Sequence, residues 1–140
     1  MQSIVSTSPD NKHDAILEYL SEIRFGPAYY SLMIDKIFFG ERIFGVSYLW
    51  SPDSRYFAIQ EWETISEGGG PQTHLLLIDV ETERECILSR AEKGFIRPKN
   101  FEGDKCVYLK EYFAPRRTIE FEIEILCVKN WKNLDVQGHI

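Results

Sequence analysis

The stretch His13-Asp14-Ala15-Ile16-Leu17-Glu18-Tyr19-Leu20-Ser21-Glu22-Ile23-Arg24-Phe25, followed by Gly26-Pro27, decides the fold class. Ile16, Leu20 and Ile23 recur at helical spacing, with Leu17 and Arg24 beside them. Asn11 followed by Asp14 is a weak relative of the capping box. Gly26 tolerates a left-handed cap and Pro27 cannot continue a helix. The pattern predicts one helix over residues 13–25, preceded by a loose polar segment over residues 1–12. Its apolar stripe is narrow, so the helix is expected to cover one face of a sheet.

Downstream, strand and turn signals alternate. Tyr29 to Ile34, Ile37 to Phe39, Val46 to Trp50 and Arg55 to Thr64 read as strands. Gly40 and Gly45 bracket a turn or bulge, and Ser51-Pro52-Asp53-Ser54 supplies turn chemistry. Glu67-Gly68-Gly69-Gly70-Pro71 reads as a flexible surface loop. His74 to Val80 and Glu85 to Leu88 form a hairpin around Glu81-Thr82-Glu83, and Phe101-Glu102-Gly103-Asp104 leads into a strand from Lys105 to Tyr112. From Thr118 to Cys127, Ile119, Phe121, Ile123, Ile125 and Cys127 alternate with polar and acidic residues, which predicts a strand with one core face and one acidic face. No internal repeat is strong enough to split the chain. The expected fold is α+β: one N-terminal helix packed on a twisted, mainly antiparallel β-sheet of about six to eight strands, in a single domain over residues 1–140.

Composition narrows the function. A chain of 140 residues, 44% hydrophobic and 27% charged, buries a core without staples. The formal charge is −6, and residues 1–70 hold five Lys/Arg against ten Asp/Glu, so 5 − 10 = −5 lies in the first half. An acidic surface repels phosphate backbones, which disfavours nucleic acid, and suits a basic protein partner. Cys86, Cys106 and Cys127 have neither zinc nor redox spacing. No signal peptide is visible, and no apolar run reaches the roughly 20 residues that span a bilayer, so a cytoplasmic location without membrane contact is expected.

Local motifs add little chemistry. Leu49-Trp50-Ser51-Pro52-Asp53-Ser54-Arg55-Tyr56-Phe57-Ala58 resembles the turn between strands of β-propeller blades, and Leu75-Leu76-Leu77-Ile78-Asp79-Val80-Glu81-Thr82-Glu83 resembles a blade's outer hairpin. A closed propeller takes at least four blades of about 40 residues, so the likeness implies shared hairpin chemistry in one curved sheet. The glycine loop lacks the Lys-Ser/Thr of a phosphate loop, the three histidines match no metal spacing, and no nucleophile motif is present. Neither a cofactor nor a metal is expected, and nothing marks an enzyme.

Two acidic groups stand out. Glu61, Trp62, Glu63 and Glu67 place an aromatic among three acids beside the glycine loop. Glu120, Glu122 and Glu124 share one strand face at about 7 Å spacing, where Lys105, Lys110, Arg116 and Arg117 are available as neutralising cations. In general character the chain resembles the small, acidic, aromatic-rich immunity proteins that bacteria pair with toxins. That resemblance implies a basic toxin domain as partner, bound through aromatic anchors among carboxylates. Two alternatives stand beside it. One is a structural module that pairs through an open sheet edge or homodimerises. The other is a ligand-binding protein or enzyme with a pocket built from His74, Asp53 and Glu61.

Overall fold

A computed structural model describes residues 3–23, 26–65, 72–113, 115–136 and 138–139. Its strands are β1 (Ser3–Thr7), β2 (Asp14–Glu22), β3 (Ala28–Ile34), β4 (Ile37–Phe38), β5 (Ile43–Trp50), β6 (Tyr56–Thr64), β7 (Gln72–Asp79), β8 (Arg84–Glu92), β9 (Gly94–Glu102), β10 (Lys105–Phe113), β11 (Arg116–Glu124), β12 (Lys132–Asn133) and β13 (Gly138–His139). A 3-10 turn spans Ile125–Cys127. The larger sheet runs β1-β2-β3-β5-β6-β7-β8-β12, with β4 on β3 and β13 on β4. A second sheet, β11-β10-β9, packs against it mainly through β9. All strand pairs are antiparallel.

The N-terminal helix expected over residues 13–25 is not found: among the described residues no helix of seven or more residues occurs, and the fold is nearly all β. Residues 14–22 form β2, and residues 3–7 of the lead-in are its partner β1. Ala15 and Leu17 are fully buried and Tyr19 packs beside them, a period of two. Leu20, on the expected helical stripe, is 49% exposed. Two strands flanking β2 satisfy its backbone groups, and that tertiary pairing outweighs a short stretch's helical spacing.

The local signal for β2 lies in its turn. Ser8-Pro9-Asp10 builds the same turn as Ser51-Pro52-Asp53. Each serine Oγ donates to the aspartate Oδ1, at 2.7 and 2.5 Å, and accepts from the backbone N–H of His13 or Tyr56. Each Oδ1 also accepts a backbone N–H, from Lys12 or Arg55. Asn11 and Ser54 take left-handed φ values of 63° and 65°. The turns lie side by side, joined by the Asp10 N–H to Ser54 Oγ at 2.9 Å.

The correspondence continues along the chain. Ala15-Ile16-Leu17-Glu18-Tyr19 matches Ala58-Ile59-Gln60-Glu61-Trp62, offset by 58 − 15 = 43, and Leu32-Met33-Ile34-Asp35 matches Leu76-Leu77-Ile78-Asp79, offset by 76 − 32 = 44. β1-β2-β3 and β5-β6-β7 thus share a turn and a local sequence pattern but not a face: Ala15 and Leu17 point into the first core, whereas the matched Ala58 and Gln60 point toward the smaller sheet.

Two apolar cores flank the sheet. Leu17, Leu32, Phe44, Phe57, Ile59, Leu76 and Ile78 fill one side. Ala58, Leu75, Leu77, Cys86, Ile96, Cys106 and Tyr108 fill the other, under the smaller sheet. Burial pushes the Cys86 and Cys106 thiols up to about 12, with Glu85 adding to the rise at Cys86, whereas Cys127 is exposed. The strand geometry ranks two substitutions. Leu17→Lys puts a charge into the first core and abolishes cooperative unfolding in a denaturant titration. Leu20→Lys alters stability by about 0.5 kcal/mol or less. A helix with Leu20 inward gives the opposite ranking.

Candidate functional site

Residues on β6 and β7 face directly across the sheet, and Glu61 pairs in register with His74. Both are buried, in strands whose central residues are covered on both faces. Such groups require internal partners. His74 Nε2 lies 2.7 Å from Glu61 Oε1 and its Nδ1 lies 2.9 Å from Glu63 Oε2. Arg90 Nε extends the chain to Glu63 at 2.8 Å.

Arg42, from the connection between β4 and β5, closes the other end. Its Nε and Nη2 donate to Glu61 at 2.7 and 2.8 Å, and its Nη1 and Nη2 donate to Glu85 at 2.9 and 2.8 Å. Nη1 also reaches the Asp135 carbonyl at 3.1 Å, so all five guanidinium donors are engaged. The Asp135 N–H donates to Glu85 Oε2 at 2.8 Å, which ties the C-terminal segment to the same carboxylate. The guanidinium carbon lies 5.4 and 5.8 Å from the Phe39 and Phe44 ring centres.

Electrostatics follow from these contacts. Burial works against the Arg42 charge, but the bonds to Glu61 and Glu85 overcome it and raise the guanidinium above its ordinary value. Burial raises the Glu61 carboxyl, and bonds from Arg42 and His74 more than offset that, leaving it below 4.5. Glu63 is likewise lowered, burial being offset by His74 and Arg90.

An open cleft of about 760 Å³ lies above this network, bordered by Glu41, Trp62, Ile65, Arg90 and Val136. Its charged floor is a clasp between strands, with the Arg42 donors already engaged. Among the described residues, no group of three or more His, Cys, Asp or Glu is placed to hold a metal ion.

The residues singled out from sequence have different fates. Glu61 and Trp62 are 6% and 4% exposed. Trp62 donates to Gln60 and packs between Tyr29 and Phe95, so neither it nor Glu61 presents itself to a partner. Glu63 is accessible but paired, and Glu67 lies outside the described residues, as does the glycine loop at 68–71. Glu120, Glu122 and Glu124 are exposed on β11, where Lys99 holds Glu120 at 2.7 Å and Lys105 faces Glu122 and Glu124 at 3.3 and 3.9 Å. Lys110 instead sits over Phe121, and Arg117 over Tyr112. His74 and Glu61 meet as the pocket alternative requires, whereas Asp53 belongs to the Ser51 turn, beside a separate cleft.

Sequence reasoning missed Arg42, Glu85 and Arg90. Arg42 sits between two glycines in a segment that reads as a turn, and its acceptors lie 19 and 43 residues away. It also missed the N-terminal surface. In sequence, residues 1–24 hold Asp10, Asp14, Glu18 and Glu22 against Lys12 and Arg24, so 2 − 4 = −2 lies there. Asp14 and Glu18 accept from the Thr7 and Ser3 hydroxyls, both at 2.7 Å. Among the described residues, no ion pair involves any of these four acids.

No protein-family model matches this sequence, and neither the curated proteins nor the solved structures contain a match. No helix among the described residues is long and apolar enough to cross a membrane.

The network makes two measurable commitments. Arg42→Ala leaves Glu61 and Glu85 buried without their cation and costs about 3–5 kcal/mol in urea unfolding, and Arg42→Lys restores little because an ammonium cannot serve both carboxylates in the same plane. Because the folded Glu61 carboxyl lies below its ordinary 4.5, its stabilisation is present above that pH and is lost as pH falls through the folded value. Glu61→Gln therefore flattens the acid limb of a stability–pH profile.

Proposed function

We propose that this chain is an acidic protein-binding domain that neutralises a basic partner in the cytoplasm, in the manner of an immunity protein held against a bacterial toxin. The observation that supports this is the placement of the acidic excess. The β6–β7 carboxylates are countered by Arg42 and Arg90, and the β11 ladder is countered by Lys99 and Lys105. Of the described acids outside any ion pair, which also include Glu41, Asp53, Glu83, Glu92, Glu102, Asp104 and Asp135, four lie close together around β1 and β2, and three of these, Asp14, Glu18 and Glu22, are exposed residues of β2. Unpaired surface charge sets the long-range field that steers a basic protein into contact. The binding surface is therefore assigned to β1 and β2 rather than to Glu61, Trp62, Glu63 or the β11 ladder. A binding role asks for no catalytic group, and His74 has both ring nitrogens engaged.

A tagged full chain used as bait in its native host, washed at moderate salt, is expected to retain one stoichiometric basic protein. Asp14→Lys with Glu18→Lys slows association with that protein roughly tenfold at low salt, and the effect fades as the Debye length shortens. Glu120→Lys with Glu122→Lys leaves the rate within twofold. Co-expression with the chain relieves any toxicity of the captured protein. Retention of nothing, or of a partner indifferent to both salt and the N-terminal reversal, overturns the proposal.

A further inference from the structure

The larger sheet leaves one side of β1 without a described partner strand. Edge strands offer a row of free N–H and C=O groups, and most are protected by charge, proline or a bulge. β11, the free edge of the smaller sheet, is protected in this way, because Arg116, Arg117, Glu120, Glu122 and Glu124 interrupt it. β1 reads Ser3-Ile4-Val5-Ser6-Thr7, with no charge, proline or glycine, and its register with β2 is unbroken. Ile4 packs against the first core and Ser6 accepts from Trp50, so Ser3, Val5 and Thr7 face outward. Val5 is 60% exposed.

The larger sheet itself supplies a precedent for what pairs there. Like β1, β5 leads through a Ser-Pro-Asp turn into its hairpin partner, and its other edge is covered by the antiparallel strand β3, through Tyr30 and Phe44. Among the described residues, no strand takes beside β1 the backbone position that β3 fills beside β5.

We infer that the free edge of β1 docks an extended, basic strand of a protein partner, which adds antiparallel to the larger sheet. This rests on the binding role proposed above and names its mode. The side chains of the outer face specify the partner's pattern. Across β1 and β2 the rows are Ser3 with Glu18, Val5 with Ile16, and Thr7 with Asp14. An apolar row thus lies between two rows that each end in a carboxylate. A residue on the added strand lies two strand spacings, about 10 Å, from β2. An apolar residue there rests on Val5. Lysine or arginine two positions to either side reaches over Ser3 or Thr7 to Glu18 or Asp14. The recognised sequence is basic-x-apolar-x-basic. A second copy of this chain is disfavoured as occupant, because its own Asp14 and Glu18 would be brought toward their counterparts.

The test uses the full chain labelled with nitrogen-15 and a capped heptapeptide, Thr-Lys-Thr-Val-Thr-Lys-Thr. The control is a peptide of the same composition with its lysines adjacent. The patterned peptide is expected to slow amide exchange across residues 3–7 at least tenfold, and the control to leave it unchanged. Val5→Lys, at a solvent-facing position, and the Asp14→Lys, Glu18→Lys pair each weaken binding roughly tenfold, with unfolding curves confirming that both variants fold. Equal binding of the two peptides without protection of residues 3–7 overturns strand addition and leaves the basic-partner role standing. Failure of both peptides to bind a chain that still captures its basic protein does the same. Protection of residues 3–7 that grows with protein concentration in the absence of peptide assigns the edge to a second copy and overturns the basic occupant.

Discussion

Burial of β6 and β7 on both faces is the constraint on which the remaining architecture depends. Phe57, Ile59, Leu76 and Ile78 serve one core while Ala58, Leu75 and Leu77 serve the other. A strand with no solvent face cannot leave a polar group to water, so each polar residue it carries must find a partner within the fold. These partnerships set the position of the smaller sheet. Gln60 donates to the Ile96 carbonyl at 2.9 Å, and Thr73 Oγ1 donates to the Gly94 carbonyl and accepts from the Ile96 N–H. The close approach also explains Gly45, where a Cβ would collide with the Gln60 carboxamide.

Glu61 and His74 follow the same rule with charge added. One guanidinium that uses all its donors joins β6, β8 and the segment at Asp135, and its electrostatic strength comes from the low polarity that makes an unpaired carboxylate so costly there. The C-terminal segment is tied down besides by β12 on β8 and by β13 on β4. Cations committed to internal clasps are withdrawn from the surface, and the four carboxylates of the first hairpin are among the described acids left without an ion pair.

Much of this arrangement was legible from residues alone. The β7–β8 hairpin, the turn into β10 and the strand character of β11 follow from period-two patterning and from turn residues at the right places, but the face of β11 expected in the core is not buried: Ile119 and Ile123 are half-buried, Phe121 is exposed, and Ile125–Cys127 departs as a 3-10 turn. The β11 ladder meets cations as its spacing suggests, although Lys99 joins Lys105 where Lys110 and Arg117 were the nearer choices in sequence. Residues 14–22 were misread because Ile16, Leu20 and Ile23 fit a helix while Ala15, Leu17 and Tyr19 fit a strand. The information that separates the two sits upstream, in a Ser8-Pro9-Asp10 turn identical in bonding to the one at Ser51. Trp62 was read as an anchor for a partner, yet its neighbours are Tyr29 and Phe95, which come from β3 and β9.

By itself the sequence determined the acidic balance, the turns and the alternation of most strands, because those depend on side-chain chemistry within a few residues. Only the tertiary structure decided which carboxylates remain available. Glu61 lies 19 residues from Arg42 and Glu18 lies in a strand that meets no cation among the described residues, yet in sequence the two stand in matching Ala-Ile-x-Glu-aromatic contexts. The difference between a buried clasp and an open acidic face is set by what the fold lays beside each residue. Coulombic pairing acts over a few ångströms of space, without regard to distance along the chain.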